Sequence, residues 1–466
     1  MATPTPKVSQ KVPQKAPQKV PQMAAQAVDQ PVAQAAAAAQ TVALKTAQAT
    51  APTIARSAYI HIPFCRRRCY YCDFAISVVG DRKRGDTSPT IETYVESLIR
   101  EIRATPTPES PTPLQTVFFG GGTPSLLAVS QLEAIVQAID ERFGIAPTAE
   151  VSMEMDPATF ELAHIQGYKA AGINRVSLGA QDFDDDVLAA SGRFHRRGHI
   201  FHAIELLHQA GIGNFSLDLM SGLPHQTLNS WQASLEQVVA IQPSHLSQYD
   251  LIVEPQTAFS RYFTLGESPL PTESQTAEMY RMAANILGQH GYSHYEICNY
   301  AKAGYEAQHN LTYWRNQPCY GFGMGATSYL WHDTGYQRID RPRTQATYQQ
   351  WVAQFIAQGG QTQDALLSPA ERVAEGIMVG LRLQAGISLA EVHQVHGDRG
   401  LAQLERAIAP HIDNQWVVVE NALSANSNVK KLEPTSRLRL SDPEGFLMSN
   451  VVIVDSFNAL EADDCA

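Results

Sequence analysis

The chain has 466 residues, 44% of them hydrophobic and 8% aromatic, so it is long enough for two or three domains with a sizeable buried core. Its formal net charge is −11, and the part after residue 55 is still more acidic, with 30 basic and 45 acidic residues. This balance argues against a general binder of nucleic acid, because such proteins concentrate Lys and Arg to displace counterions from phosphates.

Residues 1–55 differ in composition from the rest of the chain. Short Lys/Val/Pro/Gln repeats are followed by a run rich in Ala and Gln. Such low-complexity segments bury too little apolar surface to offset the cost of ordering, so we expect a disordered tail over 1–55. The tail lacks the pattern of a secretory signal, and no run of about 18 apolar residues occurs. We therefore expect a cytoplasmic protein without a membrane span, with peripheral association left open.

From Ser57 onward, short β-like runs alternate with longer helical patterns, which is typical of βα units around a parallel sheet. Strands are predicted at 59–62, 116–119, 151–155, 175–178, 215–219 and 245–249. Helices are predicted at 92–104, 130–143, 158–171, 184–190, 200–210 and 227–240. The predicted fold class is α/β, a partial (β/α)6 TIM-like barrel, in which functional loops follow the carboxyl ends of the strands.

After the sixth predicted strand the alternation of strands and helices stops. A helix is predicted at 272–290, followed by an irregular region to about residue 336 that is rich in Gly, Asn and aromatic residues. Helices are predicted at 368–383, 389–396 and 401–408, then a strand at 416–420 and a hydrophobic stretch at 446–457. We divide the folded chain into a core over 56–300, a connecting segment over 301–360 and a mostly helical C-terminal domain over 361–466.

Three cysteines follow the first predicted strand at spacings of three and two: Cys65, Cys69 and Cys72. Thiolates are the usual ligands of iron–sulfur clusters, and three ligands for four irons leave one iron open. The alternative is a zinc site, but closed structural zinc needs a fourth N or S ligand, and His61 lies inside the predicted strand. Clustered free thiols also indicate a reducing compartment.

The run Arg66, Arg67 and Arg68 between the first two cysteines has two interpretations. The three side chains are either a solvated run of charge, or cations that lower the thiolate pKa and offset the charge of a cluster. The sequence does not decide between them.

With this cysteine spacing the chain resembles the radical S-adenosylmethionine (SAM) enzymes, in which the open iron is chelated by SAM. A reduced cluster in that family cleaves SAM to methionine and a 5′-deoxyadenosyl radical. Further motifs after successive strands extend the resemblance, above all the glycine-rich segment 120–125. The resemblance implies that Tyr71 lies against the adenine and that Arg193 binds the SAM carboxylate. The other SAM contacts that it implies are Tyr59, Gly121, Gly122, Thr123, Glu154, Gln181 and Asp218.

Motifs at 222–227, 295–300 and 309–314 are similar to those of the oxygen-independent coproporphyrinogen III oxidase group. The decarboxylases of that group carry a fourth cysteine two residues after the third, where this chain has Phe74. Their extended N-terminal substrate-binding segment is absent as well. The chain therefore resembles the HemW heme chaperones within the group, with oxidative decarboxylation of coproporphyrinogen III as the alternative function.

This resemblance implies three cofactors or ligands: a 4Fe-4S cluster, SAM and heme. It also implies acceptor hemoproteins such as respiratory enzymes, an electron donor and a homodimer as partners to consider. His309 is a candidate axial ligand of heme iron, with Tyr313 and Trp314 stacking on the porphyrin. The alternative is that His309 caps a turn and the aromatic side chains pack in the core. Cys298 and Cys319 are expected to be buried rather than ligands.

Overall fold

The computed structural model describes residues 55–107, 112–332, 335–421 and 431–461. Apart from Ala55, the predicted tail therefore lies outside the described residues. All of the described residues belong to one compact unit.

The described strands, in chain order, are β1 Ser57–Ile62, β2 Phe64–Cys65, β3 Ser77–Val78, β4 Leu114–Gly121, β5 Ile145–Met155, β6 Arg175–Gln181, β7 Phe215–Ser221, β8 His245–Asp250, β9 Ser293–Glu296, β10 Asn299–Ala301, β11 Tyr320–Phe322, β12 Thr327–His332, β13 Gly335–Asp340, β14 Leu366–Leu367, β15 Ile387–Ser388, β16 Val417–Glu420 and β17 Arg437–Leu440.

The described helices are α1 Pro89–Ala104, α2 Val129–Phe143, α3 Leu162–Ala170, α4 Asp185–Ala190, α5 Arg197–Gln209, α6 Leu228–Ile241, α7 Phe259–Tyr262, α8 Glu273–Gln289, α9 Gln308–Trp314, α10 Gln345–Ala357, α11 Pro369–Gly380, α12 Ala390–Asp413, α13 Glu444–Leu447 and α14 Ser449–Glu461. Helix α12 is broken at Gly397, whose φ of +63° interrupts the helical path.

The centre of the fold is a nine-stranded sheet with the order β11-β1-β4-β5-β6-β7-β8-β10-β9. Its six central strands, β1 and β4 to β8, run parallel and are the six strands predicted from the sequence. The core faces of these strands and of the helices between them pack into one large hydrophobic cluster. The predicted α/β fold is confirmed.

The region predicted to be irregular up to residue 336 is partly regular, so that prediction was wrong. Strand β11 extends the sheet by pairing in parallel with β1, and the β9–β10 hairpin runs antiparallel to β8 at the other end. Helix α9 also lies in this region. Strands of three or four residues are too short to show a clear alternation of apolar and polar residues in the sequence. They form because they pair with a neighbouring strand of the sheet.

A second hydrophobic cluster is built mostly from side chains of residues 373–460, and Tyr280 of α8 belongs to it. Two polar contacts join the same parts of the chain. His294 Nδ1 lies 2.7 Å from Asp442 Oδ1, and Arg281 Nε donates to Glu444 Oε1 at 2.6 Å. The C-terminal part therefore packs directly on α8 and β9, while the boundary at residue 361 stays a prediction.

Candidate functional site

The three cysteines lie where the first parallel strand ends. Cys65 is the last residue of β2, and Cys69 and Cys72 follow in the loop, each partly buried. Thr123 Oγ1 donates to Cys65 Sγ at 3.5 Å, and Arg193 Nη1 donates to Cys69 Sγ at 3.4 Å. The structure thus brings two predicted SAM residues, from the loops after β4 and α4, against the predicted cluster ligands.

The Cys65 thiol is buried beside the other two cysteines. Burial, with a smaller effect of the neighbouring thiols Cys69 and Cys72, raises the pKa of Cys65 to about 12, against the hydrogen bond from Thr123, which lowers it. Within the described ranges, no three His, Cys, Asp or Glu side chains are close enough together to bind one common metal ion. A zinc ion needs all of its ligands about 2 Å from one centre, whereas each thiolate of a cubane binds its own iron. The donor set of three thiols on one loop fits a cluster of that kind.

The three arginines between the first two cysteines donate, in chain order, to the Ala158 carbonyl, the Asp81 carboxylate and the Cys72 carbonyl. The ion pair of Arg67 with Asp81 is exposed. Arg68 also donates to the carbonyl of Phe74, so it wraps the loop that carries Cys72. Its charge lowers the pKa of that thiol, against the larger effect of burial. The run is therefore partly solvated and partly a support for the loop.

The glycine-rich segment packs against the first two strands. Gly121 has a φ of +112°, and a Cβ there would lie 2.5 Å from the His61 ring. A Cβ on Gly122 would lie 2.8 Å from the Phe64 carbonyl oxygen. The N–H of Gly121 donates to Glu154 Oε2 at 2.9 Å. Glycine is required here because the end of β4 touches β1 and β2, and because φ is positive.

Two predicted carboxylates lie on β5 and β7. Burial and the nearby Asp218 raise the pKa of Glu154 to about 7. Asp218 accepts one bifurcated hydrogen bond from the Ser177 hydroxyl, with Oγ 2.9 and 2.8 Å from its two oxygens, and one from Ser216 Oγ at 3.2 Å. Burial also raises the pKa of Asp218. Gln181 ends β6 with a φ of +66°. Glu154, Gln181 and Asp218 therefore stand on three successive strands, β5, β6 and β7.

Arg193 is held by a residue that the sequence analysis did not assign. Its Nη2 donates to Asp156 Oδ2 at 2.7 Å and to the Gly179 carbonyl at 2.9 Å. Burial alone would raise the pKa of Asp156, but Arg193 and His195 outweigh it and hold that pKa well below its ordinary value. Asp156 stands two residues after Glu154, just past the end of β5. This position at a strand end was the sequence signal that could have marked Asp156 as a site residue. The contact of Arg193 with SAM stays a prediction.

The two predicted tyrosines have different surroundings. The Tyr59 hydroxyl lies 2.9 Å from His61 Nδ1, and its ring is stacked on Phe118. The Tyr71 ring packs 6.2 Å from the ring of Phe259. Neither observation tests their predicted contacts with SAM.

All six parallel strands contribute side chains to one cavity of about 210 Å³, so the sheet curves around it as a partial barrel. Its walls come from the inward-facing positions of the strands, and its other side comes from the segment around α9. The lining side chains are Tyr59, Phe118, Ser152, Glu154, Arg175, Ser177, Asp218, His245, Ser247, Tyr249, Ala307, His309, Asn310 and Tyr313. We call this space the chamber.

His309 is fully buried at the wall of the chamber. Its Nδ1 lies 2.8 Å from Thr116 Oγ1, its Nε2 lies 2.8 Å from the Tyr313 hydroxyl, and its ring stacks on Phe118 at 5.1 Å. Burial lowers the pKa of His309 to about 3. Both ring nitrogens therefore have protein partners, and an iron on Nε2 would replace the contact with Tyr313.

The segment that carries His309 closes the amino-terminal end of the barrel. Glu150 of β5 accepts from the N–H groups of Gln308 and His309 at 3.1 and 3.0 Å. Ser57 of β1 lies 3.0 Å from Thr312 through their hydroxyls. The cysteines, in contrast, follow the carboxyl end of β1. The two sets of predicted site residues therefore lie toward opposite ends of the barrel.

Three further expectations can be compared with the structure. Cys319 is buried as predicted, whereas Cys298 is only partly buried. Phe74 is 59% exposed on the cysteine loop. No helix among the described residues is long and apolar enough to cross a membrane.

The model of the radical SAM superfamily matches residues 59–238. The heme chaperone HemW of Synechocystis sp. is 44% identical over 410 residues, which cover 87% of this chain and 97% of that protein. The heme chaperone HemW of Bacillus subtilis is 36% identical and covers 73% of this chain and 87% of its own length. A mitochondrial radical S-adenosyl methionine domain-containing protein 1 of Danio rerio is 30% identical over 72% of this chain and 74% of its own.

Among solved structures, coproporphyrinogen III oxidase (HemN) of Escherichia coli superposes with a TM-score of 0.69. The superposition covers 87% of this chain and 90% of that one at 22% sequence identity. At this identity the likeness shows a shared fold alone, which agrees with the fold predicted from the sequence.

Proposed function

The chain belongs to the HemW heme chaperone family of radical SAM proteins, and from this premise we propose that it binds heme and delivers it to acceptor hemoproteins. The observation that carries the proposal is the 44% identity to a heme chaperone over 97% of that protein's length. The alignment covers nearly the whole of that protein, so it includes regions of this chain outside residues 59–238, which the superfamily model matches.

Members of the radical SAM superfamily carry a 4Fe-4S cluster and SAM, and we assign the cluster to Cys65, Cys69 and Cys72. When bound, the cluster supplies an iron with an open coordination position and an electron for the SAM sulfonium. The chain's own residues position these groups. Thr123 and Arg193 donate to two of the sulfurs, and Arg193 is held in turn by Asp156. Such donors compensate the negative charge of a thiolate-ligated cluster.

For SAM itself we propose the residues at the strand ends near the glycine-rich segment. Glu154 and Asp218 face the chamber and accept hydrogen bonds, which suits hydroxyl and ammonium groups, and Gln181 adds an amide. The guanidinium of Arg193 suits a carboxylate, and Tyr71 offers a ring face for the adenine. This assignment is supported by three polar residues on the successive strands β5, β6 and β7, together with Arg193 after α4.

The decarboxylase alternative is weakened by Phe74. A fourth cysteine in its place would put another thiol on the loop of Cys72, whereas an exposed phenyl ring can neither bind metal nor accept a proton. The HemN likeness shows only the fold, so it does not favour that reaction over heme transfer.

We retain His309 as the proposed heme ligand, with a structural condition. Since both of its ring nitrogens are hydrogen-bonded, coordination requires that Tyr313 release Nε2 and that α9 move away from the barrel. We also propose a cytoplasmic location, since free clustered thiols need a reducing compartment, and a separate electron donor for the cluster.

One anaerobic preparation with its cluster reconstituted tests the function. We expect a stable heme complex, seen as a Soret band after gel filtration, and no turnover of coproporphyrinogen III in the presence of SAM and reductant. His309→Ala should weaken heme uptake while leaving the visible absorbance of the cluster unchanged. Catalytic decarboxylation without a stable heme complex would overturn the proposal.

A further inference from the structure

Arg175 is a buried cation at the amino end of β6. It is 4% exposed, and it lines the chamber. Its Nη1 donates to Asn214 Oδ1 at 3.1 Å and to the Tyr305 carbonyl at 3.0 Å. Both partners are neutral oxygens, so the charge has no recorded ion-pair partner among the described residues. Buried charges are normally paired, because leaving one alone costs several kcal/mol.

Asp218, a carboxylate of the chamber, already accepts hydrogen bonds from other groups. The Ser177 hydroxyl contacts both of its oxygens, and the Ser216 hydroxyl contacts one. Arg175 influences Asp218 only through space, where it opposes the effect of burial on the carboxyl pKa. Among the residues that the structure describes, none accepts a hydrogen bond from Nε or Nη2 of Arg175, so the guanidinium retains donors for a guest in the chamber.

The chamber has two layers, which the register of the strands defines. Glu154 is level with Ser177, and two residues below it Ser152 is level with Arg175. At about 3.3 Å per residue, the backbone of Arg175 lies roughly 6.6 Å below the strand positions of Glu154 and Ser177. Arg175 therefore enters the chamber from a lower strand position than Glu154, which is proposed to hold SAM.

Solvent reaches this space. Tyr249 and Tyr313 both line the chamber, and each is 41% exposed. A volume of about 210 Å³ is that of several water molecules, at about 30 Å³ each in the liquid. It accommodates a short carboxylate arm and not a whole porphyrin macrocycle.

We propose that Arg175 is the binding site for a carboxylate arm of the guest, namely one propionate of heme, with Ser152 beside it. The inference rests on the proposed heme function, and it adds Arg175 as the side chain that binds a propionate of heme. A guanidinium presents paired N–H donors that match the two oxygens of a carboxylate.

The test compares heme with its dimethyl ester, which has the same iron and macrocycle but no carboxylates. Both are titrated, in the same mild detergent, into the reconstituted protein and followed by the Soret band. Loss of a charge-assisted hydrogen bond of about 1.5 kcal/mol corresponds to about a tenfold loss of affinity. We therefore expect wild type to bind heme at least about tenfold more tightly than the ester, and Arg175→Gln to lose this preference.

Arg142→Gln is the matched control, since Arg142 Nε likewise donates to a backbone carbonyl, that of Thr105, but does not line the chamber. It should keep the preference. Equal binding of both compounds by wild type would overturn the inference whether or not the Arg175 variant folds, and so would a preference that survives in Arg175→Gln. Failure of wild type to bind either compound would instead sink the proposed heme function, and the inference with it.

Discussion

At the scale of single residues, Glu154 shows how burial gives a predicted site residue unusual chemistry. Its carboxyl accepts the N–H of Gly121, yet burial and Asp218 raise its pKa from the usual 4.5 to about 7. A carboxyl of this kind holds its proton in the folded state at pH values where the unfolded chain has lost it. Its contribution to stability is therefore full below about pH 4.5 and is lost as the pH rises through 7.

The variant Glu154→Gln tests this linkage, because glutamine is neutral at every pH and still offers an acceptor to Gly121. Wild type should lose stability between pH 5 and pH 8, and the variant should not. The difference in free energy of unfolding, variant minus wild type, should therefore increase over this range by an amount on the order of 2 kcal/mol. Thermal or urea denaturation without added SAM measures the difference. Glu141→Gln, at a half-exposed ion pair with Arg103, should follow wild type at both pH values. An equal difference at pH 5 and pH 8 would contradict the assignment.

The same scale explains why Asp156 escaped the sequence analysis. An aspartate just past a strand is a common helix cap or solvated residue, and nothing in its immediate sequence indicates a partner 37 residues away. Only the fold brings Arg193 within 2.7 Å of it. The Arg193 guanidinium is thereby fixed between a carboxylate and the Cys69 sulfur.

At the scale of elements, the glycine-rich turn after β4 joins the cysteine loop to the sheet. A methyl group on Gly121 would meet the His61 ring at 2.5 Å, and the ring is itself held by Tyr59 and the Ala75 carbonyl. The turn therefore sets how closely β4 approaches β1.

Gly121→Ala should lower the thermal midpoint and reduce the visible absorbance of the reconstituted cluster. Gly172→Ala is a matched control, because Gly172 has nearly the same φ, +110° against +112°, but a Cβ there would meet no atom within 4 Å. Both variants share the cost of placing a Cβ at this positive φ, about 1–3 kcal/mol, so the excess loss in Gly121→Ala measures the clash. Equal losses in the two variants would show that the packing on His61 carries no weight.

Helix α9 is the element whose role the fold changed most. The motif at 309–314 predicted a heme ligand, and the structure places it as a closure of the barrel, bonded to β1, β4 and β5. His309 can bind heme iron only if helix α9 moves away from the barrel, which is why the heme site is proposed with that condition.

At the scale of the whole molecule, the C-terminal part is joined to the barrel through α8 and β9. His294 is 4% exposed in its side chain and contacts Asp442, while the neighbouring pair of Arg281 and Glu444 is largely exposed. Removing a partner of a buried polar group leaves that group unsatisfied, whereas an exposed ion pair contributes little.

Asp442→Ala should therefore lower the free energy of unfolding by about 1–3 kcal/mol, and Glu444→Ala by less than about 1 kcal/mol. Thermal denaturation followed by circular dichroism compares the two variants. Similar losses for both would mean that the buried contact of His294 does not help to hold the two parts together.

The sequence by itself determined the six parallel strands, the α/β class, the cysteine spacing and the family. These depend on local patterns: apolar runs, turn residues and motif spacing along a short stretch of chain. Only the tertiary structure decided the short strands β9 to β11, the pairing of Asp156 with Arg193, the burial of His309 and the position of Arg175 in the chamber. Each of these joins residues far apart in the chain, and their meeting is set by how the sheet curves and packs, which no local pattern records.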